Sequence, residues 1–261
     1  MGALATPDLG ILLLLCLAAG VAGWVDAVSG GGGLLQLPAL LIALPDAEPV
    51  EALATNKVAS VMGTAAAAAT YARKAPPDLR TALPMAGAAF IGAALGALTA
   101  GRLPADVFRP VIVVMLVAVW LWTLLNPRLG REQQLRWHGR RRHYIAATLA
   151  GLGIGFYDGI LGPGTGSFLL IVLVAGLGYS FLNASSTAKV VNLGTNVAAI
   201  IVFGITGSVL WLVGVLMGAC NVAGAVIGAR MAIRRGSGFV RIVFLTVVGL
   251  LILRLLWDLR G

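Results

Sequence analysis

Charged side chains are scarce in this sequence: they make up 11% of its 261 residues, whereas 59% are hydrophobic. A soluble domain of this length carries roughly a quarter charged residues to cover its surface. A chain with less than half of that supply cannot cover a water-soluble particle, so part of its surface must face lipid. The composition therefore excludes an ordinary soluble domain and predicts an integral membrane protein in contact with the lipid bilayer.

Cysteine and histidine are rare as well, with two residues of each. Cys16 and Cys220 lie in apolar runs, so we expect small core residues rather than a disulfide framework. His138 and His143 lie in a basic segment far from other candidate ligands, and we expect no metal and no cofactor. The sequence offers no arrangement typical of a hydrolytic enzyme, so we predict that the chain is not an enzyme.

Acidic residues are outnumbered by basic ones, 10 to 19, which gives a net charge of +9. The excess lies in short breaks between apolar runs, chiefly at 73–80 and 128–142. Basic short loops are typical of cytoplasmic connections in membrane proteins. The charge therefore indicates on which side of the membrane these loops lie, and we expect no nucleic-acid partner.

Apolar runs predict ten helical segments: 9–25, 34–44, 52–71, 79–100 and 107–125, then 144–157, 166–177, 184–205, 209–233 and 239–257. A membrane-spanning helix needs about 20 apolar residues. The last three segments of each half reach that length, the first is borderline and the second is too short. We predict an all-α polytopic membrane fold of eight to ten helical segments, in which the short pairs are broken helices around a site.

The second half of the sequence repeats the first at a constant offset. The same separation that relates Asp26 to Asp158 also relates Lys57 to Lys189. This predicts an internal duplication, with residues 1–126 as the first copy, 127–143 as a cytoplasmic linker and 144–261 as the second copy of one membrane domain. If basic loops are inside, 52–71 runs inward and 184–205 runs outward, so the copies are inverted. Parallel copies of four spans each remain the alternative, if each short pair crosses once.

A glycine-rich turn follows an aspartate in each copy. Such a turn cannot continue a helix, and at membrane depth it must be buried in protein or line a cavity. The next helix then begins with free N–H groups and a positive dipole end, which suits an anion. A tight surface turn capped by aspartate is the alternative. The predicted substrate-binding residues here are Gly30, Gly32, Gly162, Gly164 and Thr165, and the predicted proton-coupling groups or helix caps are Asp26 and Asp158.

A lysine also lies inside a predicted membrane helix of each copy, two residues after a threonine. Ionisable residues at that depth are costly and mark functional sites, and an ammonium beside hydroxyls and amides suits an oxyanion. Snorkelling of Lys57 to the interface is the alternative. The predicted substrate-binding residues here are Thr55, Asn56, Lys57, Thr187, Lys189, Asn192 and Asn196.

The paired turns and Thr-x-Lys segments, in a duplicated layout, resemble the sulfite exporter TauE/SafE family over nearly the whole chain. The resemblance implies a bacterial inner-membrane permease for sulfite, organosulfonates or related small anions. We therefore expect a gradient-driven exporter of a small anion, with a homodimer as one candidate assembly. An intramembrane enzyme and a channel for sulfur compounds remain alternatives. Because Gly31 and Gly33 are matched by Pro163 and Thr165, we expect the two turns to contribute unequally.

Overall fold

The computed structural model describes residues 8–100, 117, 120–121, 123–126, 129–137 and 139–258. Eight helices can be delimited in that part, which contains no strand: α1 (Leu9–Ser29), α2 (Gly33–Ala43), α3 (Pro49–Lys74), α4 (Leu79–Thr99), α5 (Arg141–Ile160), α6 (Thr165–Ile171), α7 (Phe181–Thr206) and α8 (Trp211–Asp258). A short π-helix, Val172–Gly176, follows α6. The all-α prediction is confirmed, whereas the predicted segment 107–125 lies largely outside the described residues.

Polar residues in the breaks start several of these helices. Asp8, Asp78 and Ser180 each accept a hydrogen bond from a backbone N–H in the first turn of the following helix. Glu48 and Glu51 form a capping box at the start of α3. Caps of this kind stabilise a helix by about 1 kcal/mol each. The polar breaks of the sequence are therefore also local signals that position the helix ends.

Helix boundaries depart from the prediction at several ends: α1 continues to Ser29 and α3 covers Pro49–Lys74, beyond the predicted 9–25 and 52–71. Helix α5 begins at Arg141 and so includes the end of the predicted linker. Gly139, at φ 76°, ends the preceding loop, and the arginines that follow it are compatible with a helix. The predicted segments 209–233 and 239–257 form α8, which is interrupted at Gly236, where φ is 73° and ψ is −171°. Both segments are thus present, joined by a single non-helical residue.

Contacts between helices occur in pairs that match the sequence offset. Helix α1 packs along α8 as α5 packs along α4, and α3 packs on α8 as α7 packs on α4. Helices α3 and α7 also pack on each other. The main partners of α1 and α5 therefore come from the other half of the chain, so the two halves interleave. Their inverted orientation in the membrane stays a prediction.

Glycines allow the two largest of these helix pairs to approach closely. A Cβ on Gly92 would lie 2.2 Å from the carbonyl oxygen of Leu152, and one on Gly224 would lie 1.8 Å from the carbonyl oxygen of Gly20. At the constant offset between the copies, Gly92 corresponds to Gly224 and Leu152 corresponds to Gly20. Small residues that bring backbones together are typical of membrane helix interfaces. The pairs α4–α5 and α1–α8 are therefore closely packed next to the turns at the ends of α1 and α5.

The described part of the linker folds back on the connection between α6 and α7. The N–H of Gln134 donates to the carbonyl of Gly178 at 2.8 Å. Beside it, the Tyr179 hydroxyl donates to Asp78 Oδ2 at 2.5 Å, and the ring of His143 is buried next to Tyr179. Burial raises the pKa of Tyr179, and its bond to the Asp78 carboxylate adds to the shift. The linker is thus fastened to the starts of α4 and α7.

Candidate functional site

The two broken helices meet at their glycine-rich turns. Helix α1 ends at Gly30, where φ is 79°, and Gly162 and Gly164 have φ of 79° and 87° before α6 begins. A Cβ on Gly30 would lie 2.1 Å from the carbonyl carbon of Gly166, and Ser167 N donates to the Gly30 carbonyl at 3.2 Å. Only residues without side chains fit this crossing of two backbones, which explains glycine at both contact positions.

Two buried ion pairs cross between the halves of the chain. Lys57 Nζ lies 2.7 Å from Asp158 Oδ1, and Lys189 Nζ lies 2.7 Å from Asp26 Oδ2. Each lysine therefore pairs with the aspartate of the other half, and the duplication relates one pair to the other. Both lysines are 2% exposed, so Lys57 does not reach the surface. Burying four charges is tolerable because each is directly compensated.

Asp158 receives a second donor but still has an unused oxygen. Thr165 Oγ1 donates to Asp158 Oδ1 at 2.5 Å, the same oxygen that contacts Lys57. Asp158 Oδ2 and Asn56 Oδ1 are buried without a hydrogen-bond partner among the described residues. A buried acceptor without a donor costs about 1–3 kcal/mol. These two oxygens are therefore available to accept a hydrogen bond from a donor that enters the site.

A cavity of about 20 Å³ lies between the turns and the two lysine-bearing helices. It is large enough for about one water molecule. Most of the residues predicted from the two motifs meet here, together with Gly33, Ser60 and Gly166. The lining consists of Asp26, Gly30, Gly33, Asn56, Lys57, Ser60, Asp158, Gly162, Gly164, Thr165, Gly166, Asn192 and Asn196.

Four predicted residues lie beside this cavity without lining it. Lys189 is bonded to Asp26, which lines the cavity. A Cβ on Gly32 would lie 2.4 Å from the carbonyl oxygen of Ala22, so Gly32 packs against α1. The hydroxyl of Thr55 accepts from Leu210 N at 3.1 Å.

Thr187 makes the bond equivalent to that of Thr55, accepting from Asp78 N at 3.3 Å. In both cases the hydroxyl holds the backbone just before a helix of the other half, α8 for Thr55 and α4 for Thr187. The threonine of each Thr-x-Lys segment thus faces a helix junction, whereas its lysine faces an aspartate.

Backbone N–H groups of the turns are partly used within the protein. Thr165 N donates to the Gly162 carbonyl at 3.4 Å, and Leu34 N donates to the Gly31 carbonyl at 3.1 Å. With the bond from Ser167 to Gly30 and those of Leu35, Gln36 and Phe168, six of the first eight N–H groups of α2 and α6 have partners. The ammonium of Lys57 and the side-chain amides of the lining are therefore the principal donors beside the cavity.

A glutamine and an asparagine that the motifs did not include lie next to the site. Asn221 Nδ2 donates to Gln36 Oε1 at 2.8 Å, and Gln36 Nε2 approaches the Asn56 carbonyl at 3.4 Å. Gln36 and Asn221 are buried in otherwise apolar helices. A single amide in an apolar run is the signal that the sequence offers for each of them. Neither belongs to a paired motif, because the offset matches Gln36 with Phe168 and Asn221 with Ala89.

Four helices of the described part are long and apolar enough to cross a membrane: α1, α4, α7 and α8. Helix α3 is equally long but carries the polar segment around Lys57. The chain is therefore a multi-pass helical membrane protein with a buried, charge-lined site between its halves. Buried ionisable residues facing the interior of a helix bundle are characteristic of transport pathways.

The family model described as "Sulfite exporter TauE/SafE" matches residues 15–255, and the chain belongs to this family. The "Probable membrane transporter protein ORF9" of Sinorhizobium sp is 40% identical over 250 residues, covering 95% of this chain and 93% of the relative. A "Probable membrane transporter protein" of Haemophilus influenzae is 33% identical over 253 residues, covering 96% and 97%.

YfcA of Escherichia coli K12, also named a probable membrane transporter protein, is 32% identical over 253 residues, covering 97% of this chain and 91% of the relative. No solved structure is significantly similar to the chain. The protein is thus a membrane transporter of the TauE/SafE family, as its sequence predicted.

Proposed function

We propose that this transporter exports a small oxyanion, such as sulfite or an organosulfonate, across the bacterial inner membrane. The observation that carries the proposal is the pair of buried lysines, each held by an aspartate of the other half beside one cavity. An ammonium surrounded by amides and a hydroxyl supplies several donors to one centre, which an oxyanion with several acceptor oxygens requires. The family description, which names sulfite export, favours this substrate class.

The charge balance of the site indicates how an anion would be admitted. Two lysines and two aspartates form a neutral set, so the site has no net attraction for an anion while both pairs are intact. Protonating Asp26 or Asp158 would leave one lysine without its partner and give the site a net positive charge. Proton and anion then bind cooperatively, since each raises the affinity for the other.

The size of the cavity indicates that transport needs a conformational change. About 20 Å³ holds about one water molecule, which is too little for a sulfur oxyanion. The closest barrier is the crossing of the turns at Gly30 and Gly166, so the turns have to separate for an anion to enter. An inside-negative membrane potential would favour the outward step, by about 2.3 kcal/mol per 100 mV for each charge moved.

An intramembrane enzyme is the second candidate, because Thr165 and Asp158 form a hydroxyl–carboxylate pair at 2.5 Å. That pair is also what an enzyme would use as nucleophile and base. Asp158 Oδ1 is, however, already paired with the Lys57 ammonium at 2.7 Å, so the oxygen that contacts the hydroxyl is occupied by that cation. A sulfur-compound channel with reactive thiols is less well supported, since Cys16 and Cys220 are free thiols that do not line the cavity.

Counterflow of labelled sulfite in proteoliposomes is the direct test. We expect uptake that unlabelled sulfite and organosulfonates compete away, and at least a tenfold loss in the Lys57→Ala variant. Arg142→Gln, which removes an exposed cation away from the cavity, is the charge-matched control and should retain activity. Absence of counterflow for several small oxyanions, with folded protein in the membrane, would refute transport of this class and favour the enzyme.

A further inference from the structure

A basic groove lies between α3 and α8, separate from the central cavity. Its volume is about 700 Å³, within the size range of small-molecule sites. One end is lined by small and apolar residues, among them Ala66, Ala69 and Val226, and the other end by four cations. The cations are Arg73, Lys74, Arg230 and Arg234, all exposed.

Helix packing explains why a groove opens at this position. Just before the groove, α3 and α8 touch: a Cβ on Gly63 would lie 1.7 Å from Asn221 Oδ1, and one on Gly218 would lie 2.2 Å from Met62 Sδ. Beyond this contact, small residues such as Ala66 leave space between the two helices. The groove therefore follows from the sequence of both helices rather than from a loop.

The cations lie at the level where both helices are interrupted. Helix α3 ends at Lys74, and α8 is broken at Gly236, two residues after Arg234. Four Lys and Arg side chains clustered at the ends of apolar stretches are expected at the bilayer surface, because such cations near helix ends reach the headgroup region. The apolar end of the groove thus lies at acyl-chain depth, and the basic end lies at headgroup depth.

No acidic residue lines the groove, and none of the four cations forms a salt bridge with a described residue. Most of these cations are also not repeated in the other copy. Of the four, Arg234 alone has a basic counterpart in the other copy, Arg102; the positions that match Arg73, Lys74 and Arg230 are Ile205, Thr206 and Leu98. The charge is therefore mainly a property of this membrane face and is free to bind an external anion.

We infer that the groove binds an anionic phospholipid, with its phosphate between the cations of α3 and α8 and an acyl chain along Ala66, Ala69 and Val226. The combination of an apolar trough and a basic mouth at the bilayer surface matches the two chemical parts of such a lipid. Basic pockets between membrane helices on the cytoplasmic side are known to take anionic headgroups. A zwitterionic lipid has no net charge for the four cations to attract.

The test compares phosphatidylglycerol with phosphatidylcholine added to the full-length protein in detergent, with bound lipid counted by native mass spectrometry. We expect the wild type to retain phosphatidylglycerol selectively. Each neutralised cation should weaken retention about fivefold, so Arg230→Gln/Arg234→Gln should lose about 25-fold. Arg80→Gln/Arg235→Gln is the charge-matched control, because Arg80 and Arg235 are exposed cations outside the groove, and it should bind like the wild type.

Lys74→Gln is a milder second variant on the other helix and should lose about fivefold, which keeps the inference testable if the double variant folds poorly. Equal loss in the control and the groove variant would overturn a specific site. So would displacement of phosphatidylglycerol by millimolar inorganic phosphate, because the groove would then be a soluble-anion site without need of an acyl chain.

Discussion

The two ion pairs of the site are equivalent in sequence but differ in their surroundings. Lys57 and Asp158 are sealed from solvent, with 2% of each side chain exposed, and Thr165 donates a further bond to Asp158. In the other pair, Lys189 contacts an Asp26 side chain that is 17% exposed. A buried charge depends on its partner, whereas water can replace the partner of a hydrated one. The first pair is therefore enclosed more completely, and the second is more accessible to water.

One sequence difference between the copies bears directly on this contrast. Thr165, which supplies the hydroxyl to Asp158, corresponds to Gly33 in the first copy. Gly33 has no side chain to donate to Asp26. The helix that follows also differs, because α2 is α-helical over 11 residues whereas α6 has seven and continues as a π-helix. The duplication thus preserved the charges and let the residues around them diverge.

The largest effect should come from removing the lysine of an ion pair, tested separately for the two pairs. Lys57→Met leaves Asp158 as an uncompensated buried charge and should destabilise the protein by about 3–5 kcal/mol. Lys189→Met should cost less, because water can reach Asp26. Denaturant unfolding in detergent measures both.

Adding Asp158→Asn to Lys57→Met should recover much of the lost stability, because the uncompensated charge is removed with it. Equal losses in the two lysine variants would show that the difference in exposure between Asp26 and Asp158 has no energetic consequence.

Removing the hydroxyl of Thr165 should make the two pairs more alike. Hydrogen bonds to charged groups contribute about 1.5–3 kcal/mol, so Thr165→Val should lower the unfolding free energy by about that amount. Thr55→Val is the matched control, since its hydroxyl binds only the backbone of Leu210; it should cost about 1 kcal/mol and leave anion affinity unchanged. A Thr165→Val protein as stable as the wild type would mean that Lys57 alone holds Asp158.

The pH dependence of anion binding should distinguish the two aspartates. Affinity for a permanently ionised sulfonate should rise as pH falls, by up to about tenfold per pH unit for one coupled proton, because protonating a carboxylate leaves its lysine free for the anion. We expect Asp26→Asn to flatten this profile more than Asp158→Asn, since Asp26 is the partly exposed group. A flat profile in the wild type would make both aspartates structural.

Sequence reasoning went furthest where the two copies agree. The offset brought Asp26, Lys57, Asp158 and Lys189 to attention, and the structure brings all four together. It could not predict that the pairs cross between halves, because which helix faces which is decided by packing of glycines such as Gly92 against distant backbone. The same offset pairs Thr55 with Thr187 and suggested a shared binding role.

The structure gives those two hydroxyls a different partner, the backbone before α8 or α4. A threonine two residues before a lysine lies on another part of the helix surface, since the helix turns about 100° per residue. Spacing alone does not indicate what that other surface touches. Gln36 and Asn221 could not be predicted from the comparison of the copies, because neither has a polar counterpart in the other copy.

The smallest expected effect is a gain, from giving Asp26 the hydroxyl that Asp158 already has. A Cβ on Gly33 would lie 3.4 Å from Pro163 Cα and 3.8 Å from Asn56 Nδ2, which are ordinary contacts, so a small side chain fits. Gly33→Ser should stabilise the protein, both by reducing the freedom of the unfolded chain, worth about 0.4–1 kcal/mol, and by a hydrogen bond to Asp26. Gly33→Ala should gain only the contribution from the unfolded chain. The difference in unfolding free energy between the two variants therefore measures the hydrogen bond of the hydroxyl, at about 0.5–1.5 kcal/mol. If serine and alanine at position 33 were equally stable, residue 33 would not be the cause of the contrast, and the greater exposure of Asp26 would have to come from the packing of α2.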